Sequence, residues 1–191
     1  SNTTGYSNVG VGYVPLQNNT SGTQNTAVGF AALASNTTAS NNTALGFGVL
    51  DANTTGGNNT AVGKNALTEN TTGSQNVALG SRAVENNTTA GNNVGIGYSA
   101  VRETTTGANN VGVGTDALKL NTTASNNTAV GYVALAVNTT GTNLVAVGAN
   151  ALDTNTTGNG NVAIGVSALQ ANTTASHNIA IGQGAMFFNT S

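Results

Sequence analysis

The sequence predicts an all-β fold: a β-solenoid (β-roll) of eleven 17-residue rungs, two short strands per rung, in a form open to packing as a trimer. Three observations lead there. A Gly preceded by Val, Leu or Ile stands at Gly12, Gly29, Gly46, Gly63, Gly80, Gly97, Gly114, Gly131, Gly148, Gly165 and Gly182, each 17 residues after the last. Residue type is fixed by place within that period, so residues 1–191 read as a single repeat array. The composition, with 32 Asn, 32 Thr and 26 Gly, is hostile to helix, because Gly there costs about 1 kcal/mol relative to Ala.

With the Gly as position zero, −3 is Val, Thr or Ile, −2 is Ala or Gly, and −1 is Val, Leu or Ile in every copy. This alternation predicts a short strand with −3 and −1 on one face. Ala at +3 in nine copies and Leu, Val or Met at +4 in all predict a second strand ending on an apolar residue. The −1 and +4 residues, for example Val28, Leu33, Val62, Leu67, Ile164 and Leu169, are expected in the core. Position −2 then lies on the outer face, where its small size points to close approach by another chain or by the second strand layer. Asn at +7, Thr at +8 and Thr or Ser at +9 form a turn. One such unit cannot bury its apolar side alone, but stacking joins the copies into one core. At about 4.8 Å per rung the rod is roughly 50 Å long.

Only 10 of 191 residues are charged, with net charge −2. Four basic residues are too few for nucleic acid, and no apolar run is long enough to insert in a membrane. Zero Cys removes disulfides and thiolate metal sites. No cofactor is expected and no enzyme: Glu69 and Glu85 are the nearest thing to a carboxylate pair, but they sit at solvent-facing positions. Glu85 and Arg102 occupy +5 in successive rungs and are expected to pair at the surface. The lone imidazole, His177, replaces Asn or Gln at +12 as a neutral hydrogen-bonding group. Gly10, Gly95 and Gly112 are copies with Gly at −2, not a phosphate cradle. Paired Thr rows at +8 and +9 do not form the flat double row that ice binding needs, since neighbours on a strand face opposite ways.

Three further features carry functional expectations. The N-x-S/T pattern recurs in one phase at Asn2, Asn19, Asn36, Asn53, Asn70, Asn87, Asn121, Asn138, Asn155, Asn172 and Asn189, with Thr104 as the gap. These are candidate glycosylation sites, and equally the members of a hydrogen-bonded amide ladder. Tyr13, Phe30 and Phe47 fill +1 in successive rungs, with Lys64 next. They form a stacking ladder or a glycan-contact platform. Phe187 and Phe188 break the polar habit of +5 and +6 and form a candidate end interface.

The segments NTAVGFAAL (Asn25 to Leu33), NVALGSRAV (Asn76 to Val84) and NVAIGVSAL (Asn161 to Leu169) resemble the head repeats of trimeric autotransporter adhesins. They are also similar to the NTAVG…NTTG arrays of phage tail fibres and bacterial surface proteins. The resemblance implies a left-handed β-roll, often three chains side by side, serving as an extracellular rod or adhesive head. The chain starts and stops in mid-repeat, which predicts a segment of a longer fibre. The expected function is a glycosylated structural shaft of an extracellular filament or virion appendage. It associates with itself, end to end or as a side-by-side trimer. The alternative is an adhesin or tail-fibre segment that binds surface glycans.

Overall fold

The computed structural model describes residues 2–189. It contains eleven strands of three residues: β1 (Val9–Val11), β2 (Thr26–Val28), β3 (Thr43–Leu45), β4 (Thr60–Val62), β5 (Val77–Leu79), β6 (Val94–Ile96), β7 (Val111–Val113), β8 (Thr128–Val130), β9 (Val145–Val147), β10 (Val162–Ile164) and β11 (Ile179–Ile181). Each covers positions −3 to −1. They form one parallel sheet in sequence order, so that Val28 pairs with Leu45 and Leu45 with Val62. The chain is a β-solenoid whose rungs align residue for residue at a 17-residue offset.

The strand faces are the reverse of the expectation. In β2 to β11 the middle residue, −2, is buried and its two neighbours are half-buried or exposed. Val28 and Val62 are therefore only half-buried, and Ile164 is 39% exposed. The reason is the thinness of the rung. A methyl group added at Gly95 would lie 2.6 Å from Val84 Cγ2 and 3.0 Å from the Ala100 carbonyl oxygen. The opposite wall leaves no room even for a methyl group at Gly95 and takes Ala in other rungs, so the larger aliphatic residues face outward. The three Gly at −2 also have a local cause: Gly95 and Gly112 lie against the branched Val84 and Val101, and Gly10 against Pro15.

The second expected strand is absent from the described residues. Positions +1 to +6 form consecutive turns, with +2 and +4 in the left-handed region, as at Ala31 (φ 53°) and Leu33 (φ 52°). The segment still stacks on its copies through backbone bonds, such as Ala31 N–H to Tyr13 O at 3.0 Å and Leu33 N–H to Val49 O at 3.0 Å. A strand would send adjacent residues to opposite faces, whereas the two left-handed residues turn both +3 and +4 inward. Ala32 and Leu33 are both fully buried, as are Ala66 and Leu67.

A left-handed Leu costs about 1–2 kcal/mol, and burying its side chain returns roughly 1.5–3 kcal/mol. The +4 column, fully buried from Leu33 to Leu169, thus holds those rungs shut. Leu67→Ala is expected to destabilise the rod by about 2–5 kcal/mol, read as a fall in the urea midpoint. A change below about 0.5 kcal/mol, the size typical of surface substitutions, would refute the core assignment.

Candidate functional site

The polar interior is the most ordered chemistry in the molecule. Two columns of Asn run along the rod, at +7 and −4. Asn36 Nδ2 donates to Asn19 Oδ1 at 2.7 Å and to the Ala39 carbonyl at 3.1 Å within its own rung. Asn25 Nδ2 donates to that same Ala39 carbonyl at 2.8 Å from the other side. Its Oδ1 accepts the Asn42 N–H at 3.0 Å. The +10 carbonyl is thus held between two amides in most rungs, Gly107 and Gly158 having one each because Thr104 and Leu144 interrupt the columns, and the side-chain network fastens rung to rung.

This geometry decides what the +7 Asn can do. Asn19, Asn36, Asn53, Asn70, Asn87, Asn121, Asn138, Asn155 and Asn172 are all at most 1% exposed. In every one of them Nδ2 donates two bonds. A glycan on Nδ2 needs both solvent access and a free N–H, so the folded rod accepts no sugar at these nine positions. Asn2 is exposed, its Nδ2 donating to the Gly5 carbonyl at 2.6 Å and its Oδ1 accepting from Asn19 at 2.9 Å, and Asn189 is half-buried. Of the two expectations for this column, the hydrogen-bonded ladder is the one its geometry fits.

Sequence reading passed over a second phase of the same pattern: Asn41-Asn42-Thr43, Asn58-Asn59-Thr60 and Asn126-Asn127-Thr128. Here the first Asn, at +12, is exposed. It is left-handed, with φ of 62°, 59° and 62°. Asn tolerates that region better than most residues, which explains Asn at +12 more directly than hydrogen bonding does. His177 shares the conformation at φ 62°. The hydroxyls divide as sharply. At +8, Thr37 Oγ1 donates to the Thr54 carbonyl of the next rung at 3.1 Å, and Thr54 Oγ1 to Thr71 at 3.1 Å. At +9, Thr38, Thr55, Thr72, Thr89, Thr106 and their counterparts are exposed.

The gap at Thr104 leaves a mark. Thr104 Oγ1 donates to the Asn121 carbonyl at 2.7 Å, and Asn87 Oδ1 is left buried without a partner. Thr104→Asn is expected to complete the column and stabilise the rod by about 1 kcal/mol. The check is a higher urea midpoint with an unchanged slope; an unchanged or lower midpoint would contradict the ladder geometry.

Tyr13, Phe30 and Phe47 stack as expected. Ring centroids are 5.3 Å and 4.8 Å apart, with interplanar angles of 12° and 7°. The facing sides of the rings cover one another, while Tyr13, Phe30 and Phe47 remain 67%, 46% and 52% exposed. Phe187 and Phe188 meet edge to face at 4.6 Å, and Phe188 is 83% exposed. With Met186 and Asn189 they line a shallow cavity of about 290 Å³.

The charged residues cluster in the middle rungs. Glu85 accepts from Arg82 Nε at 2.9 Å and lies 3.9 Å from Arg102 Nε, so the expected Glu85–Arg102 pair is joined by a closer one. Arg102 also bonds Glu103, and Lys119 pairs with Asp116 at 3.3 Å. Bonds to Glu85 and Tyr98 raise the Arg82 pKa. Burial pushes the Glu103 carboxyl up, but bonds from Arg102 and Asn86 outweigh it and the net shift is downward. Burial raises the carboxyls of Asp51 and Asp153. Glu69 is exposed and outside these pairs. Beside the cluster, Lys64, Asn65, Ser81, Arg82 and Tyr98 line a cleft of about 330 Å³.

No protein-family model, curated protein or solved structure matches this chain.

Proposed function

We propose that this chain is a shaft segment of an extracellular fibre that assembles with copies of itself. The observation that carries the reading is the outer face of the sheet. Positions −1 and −3 present aliphatic or Thr side chains in every rung with no charged residue among them. Leu45 is 46% exposed and Ile96 37% exposed on this face. A straight apolar column repeated at rung spacing suits a second copy with the same spacing. Small residues at −2 give no support for association, since they face inward. Association side by side, with three chains as the resemblance to adhesin heads implies, uses the −1 column instead. The amide and hydroxyl surface and the same resemblance support an extracellular location.

Glycan in this reading sits on the exposed +9 hydroxyls and on Asn41, Asn58 and Asn126, away from the buried +7 column. Electron microscopy and sedimentation of the chain test the assembly. Filaments or a defined oligomer are expected, dispersed by Val130→Glu on the outer face; a monomer at high concentration would reject it. Glycopeptide mapping of native material tests the sugar, and occupancy at Asn36 or Asn53 would reject its placement. The second reading, a segment binding surface glycans, is favoured by the exposed +1 column, where Tyr98 and Tyr132 are 50% and 60% exposed.

A further inference from the structure

The +1 column changes character along the rod. After the three stacked rings come Lys64, then Ser81, then Tyr98. Consecutive members are tied by backbone bonds, Arg82 N–H to Lys64 O at 2.9 Å and Ser99 N–H to Ser81 O at 3.0 Å. They therefore stand about 4.8 Å apart. Ser81 is the short member between two long ones, and the cleft opens above it. One wall is an ammonium and the other is a phenol ring. The +2 residues Asn65 and Arg82 close the side.

The charges are unequal in availability. Arg82, Arg102 and Lys119 each have a carboxylate partner. Among the described residues Lys64 has none within ion-pair distance, and it is exposed. Tyr98 is 50% exposed and, unlike the rings of the stack, has no aromatic ring against it among the described residues. The cleft thus offers one uncompensated positive charge, one half-exposed aromatic ring, a hydroxyl and an amide. A partner matching that set carries one carboxylate, an apolar ring face and several hydroxyls.

We infer that the Lys64–Ser81–Tyr98 cleft binds a carboxylated sugar residue of a polysaccharide. The sugar ring lies on Tyr98, its carboxylate meets the Lys64 ammonium, and its hydroxyls meet Ser81 and Asn65. Arg82, bonded to Glu85 and Tyr98, contributes through its remaining N–H groups, and Glu85 itself limits the site to a single negative charge. Nucleic acid is the poorer fit, because it needs a row of unpaired cations and the described residues offer one. The inference does not rest on the shaft reading: a monomeric rod would bind as well as a fibre.

The test is calorimetric titration with trigalacturonic acid, its fully methyl-esterified form and oligothymidylate. The acid is expected to bind at least about tenfold more tightly than the ester, the difference that one charge-assisted bond supplies. Lys64→Gln, on an exposed side chain, should bring the acid down to the ester's affinity. Ser81→Tyr should fill the cleft and abolish binding of both. Lys119→Gln, outside the cleft, should change nothing. Absence of acid binding, equal affinity for acid and ester, indifference to Lys64→Gln, or equal binding of oligothymidylate would each overturn the assignment. Whether the samples form fibres is read separately by sedimentation, so failure of either reading is visible without the other.

Discussion

Gly114→Ala is expected to break the rod in its middle. Gly114 has φ 132°, and a Cβ there would lie 2.4 Å from the carbonyl oxygen of Gly131 in the next rung. The torsion alone costs about 1–3 kcal/mol in a side-chain-bearing residue. Relieving the contact requires the rungs to part, which loses bonds such as Gly131 N–H to Val113 O at 2.8 Å, each worth about 0.5–1.5 kcal/mol. A total near 4 kcal/mol or more follows, in the range that single substitutions rarely reach. Gly182 supplies the control: its φ is 125°, but nothing lies within 4 Å of the added carbon. Gly182→Ala should cost the torsional part alone. Because solenoid rungs couple mainly to their neighbours, amide exchange should accelerate around residues 97–131 first. Equal losses in the two variants would show that contact between rungs is not what keeps this position glycine.

The second large effect is Asn70→Asp. Asn70 Nδ2 donates to Asn53 Oδ1 at 2.7 Å and to the Gly73 carbonyl at 2.9 Å, in a site with no exposure. An ionised carboxylate there would face two acceptors with no hydrogen to give, and breaking such a buried network costs about 3–5 kcal/mol. Protonation restores one donor, so the folded state holds the proton and the folded pKa rises above the unfolded value of about 3.9. The unfolded chain then binds fewer protons than the folded one above that pH, and stability falls as pH increases. The variant should be closest to wild type near pH 4 and weaken toward pH 7, when measured by urea unfolding across that range. A pH-independent loss would mean that the carboxylate finds another partner or reaches solvent.

The repeat and the Leu column were legible in the sequence because both rest on strict periodicity. Leu33, Leu67 and Leu169 lie in the core as their regular spacing implies. Which side of the strand faces inward was not legible. A two-residue alternation defines two faces but not which one is inside, and the usual rule sends the larger apolar residue inward. Here the opposite wall stands so close that Ala61 fits and Val62 does not. The missing second strand has a similar cause: nothing in Ala-Leu announces that Leu67 adopts φ 51°, a conformation against its own preference. The Asn-Thr-Thr corner carried two readings of one pattern, and burial separates them. Asn53 belongs to the interior, Thr54 to the bonds between rungs, and Thr55 to the solvent. The cleft at Lys64 and Tyr98 was hidden because it arises from Ser81, a small residue remarkable only for its place between them.

The unbroken 17-residue offset has a mechanical consequence. Bonds between rungs run along the rod axis, so tension applied to the chain ends peels rungs one at a time rather than shearing many together. Each detached rung releases about 56–61 Å of extended chain in place of about 4.8 Å of rod. A single molecule under load should lengthen in equal steps of roughly 50–55 Å. Every step dissipates work, and each re-forms on slackening because the neighbouring rung remains as a template. Yielding should be easiest where Thr104 interrupts the amide column and leaves Asn87 Oδ1 unpaired.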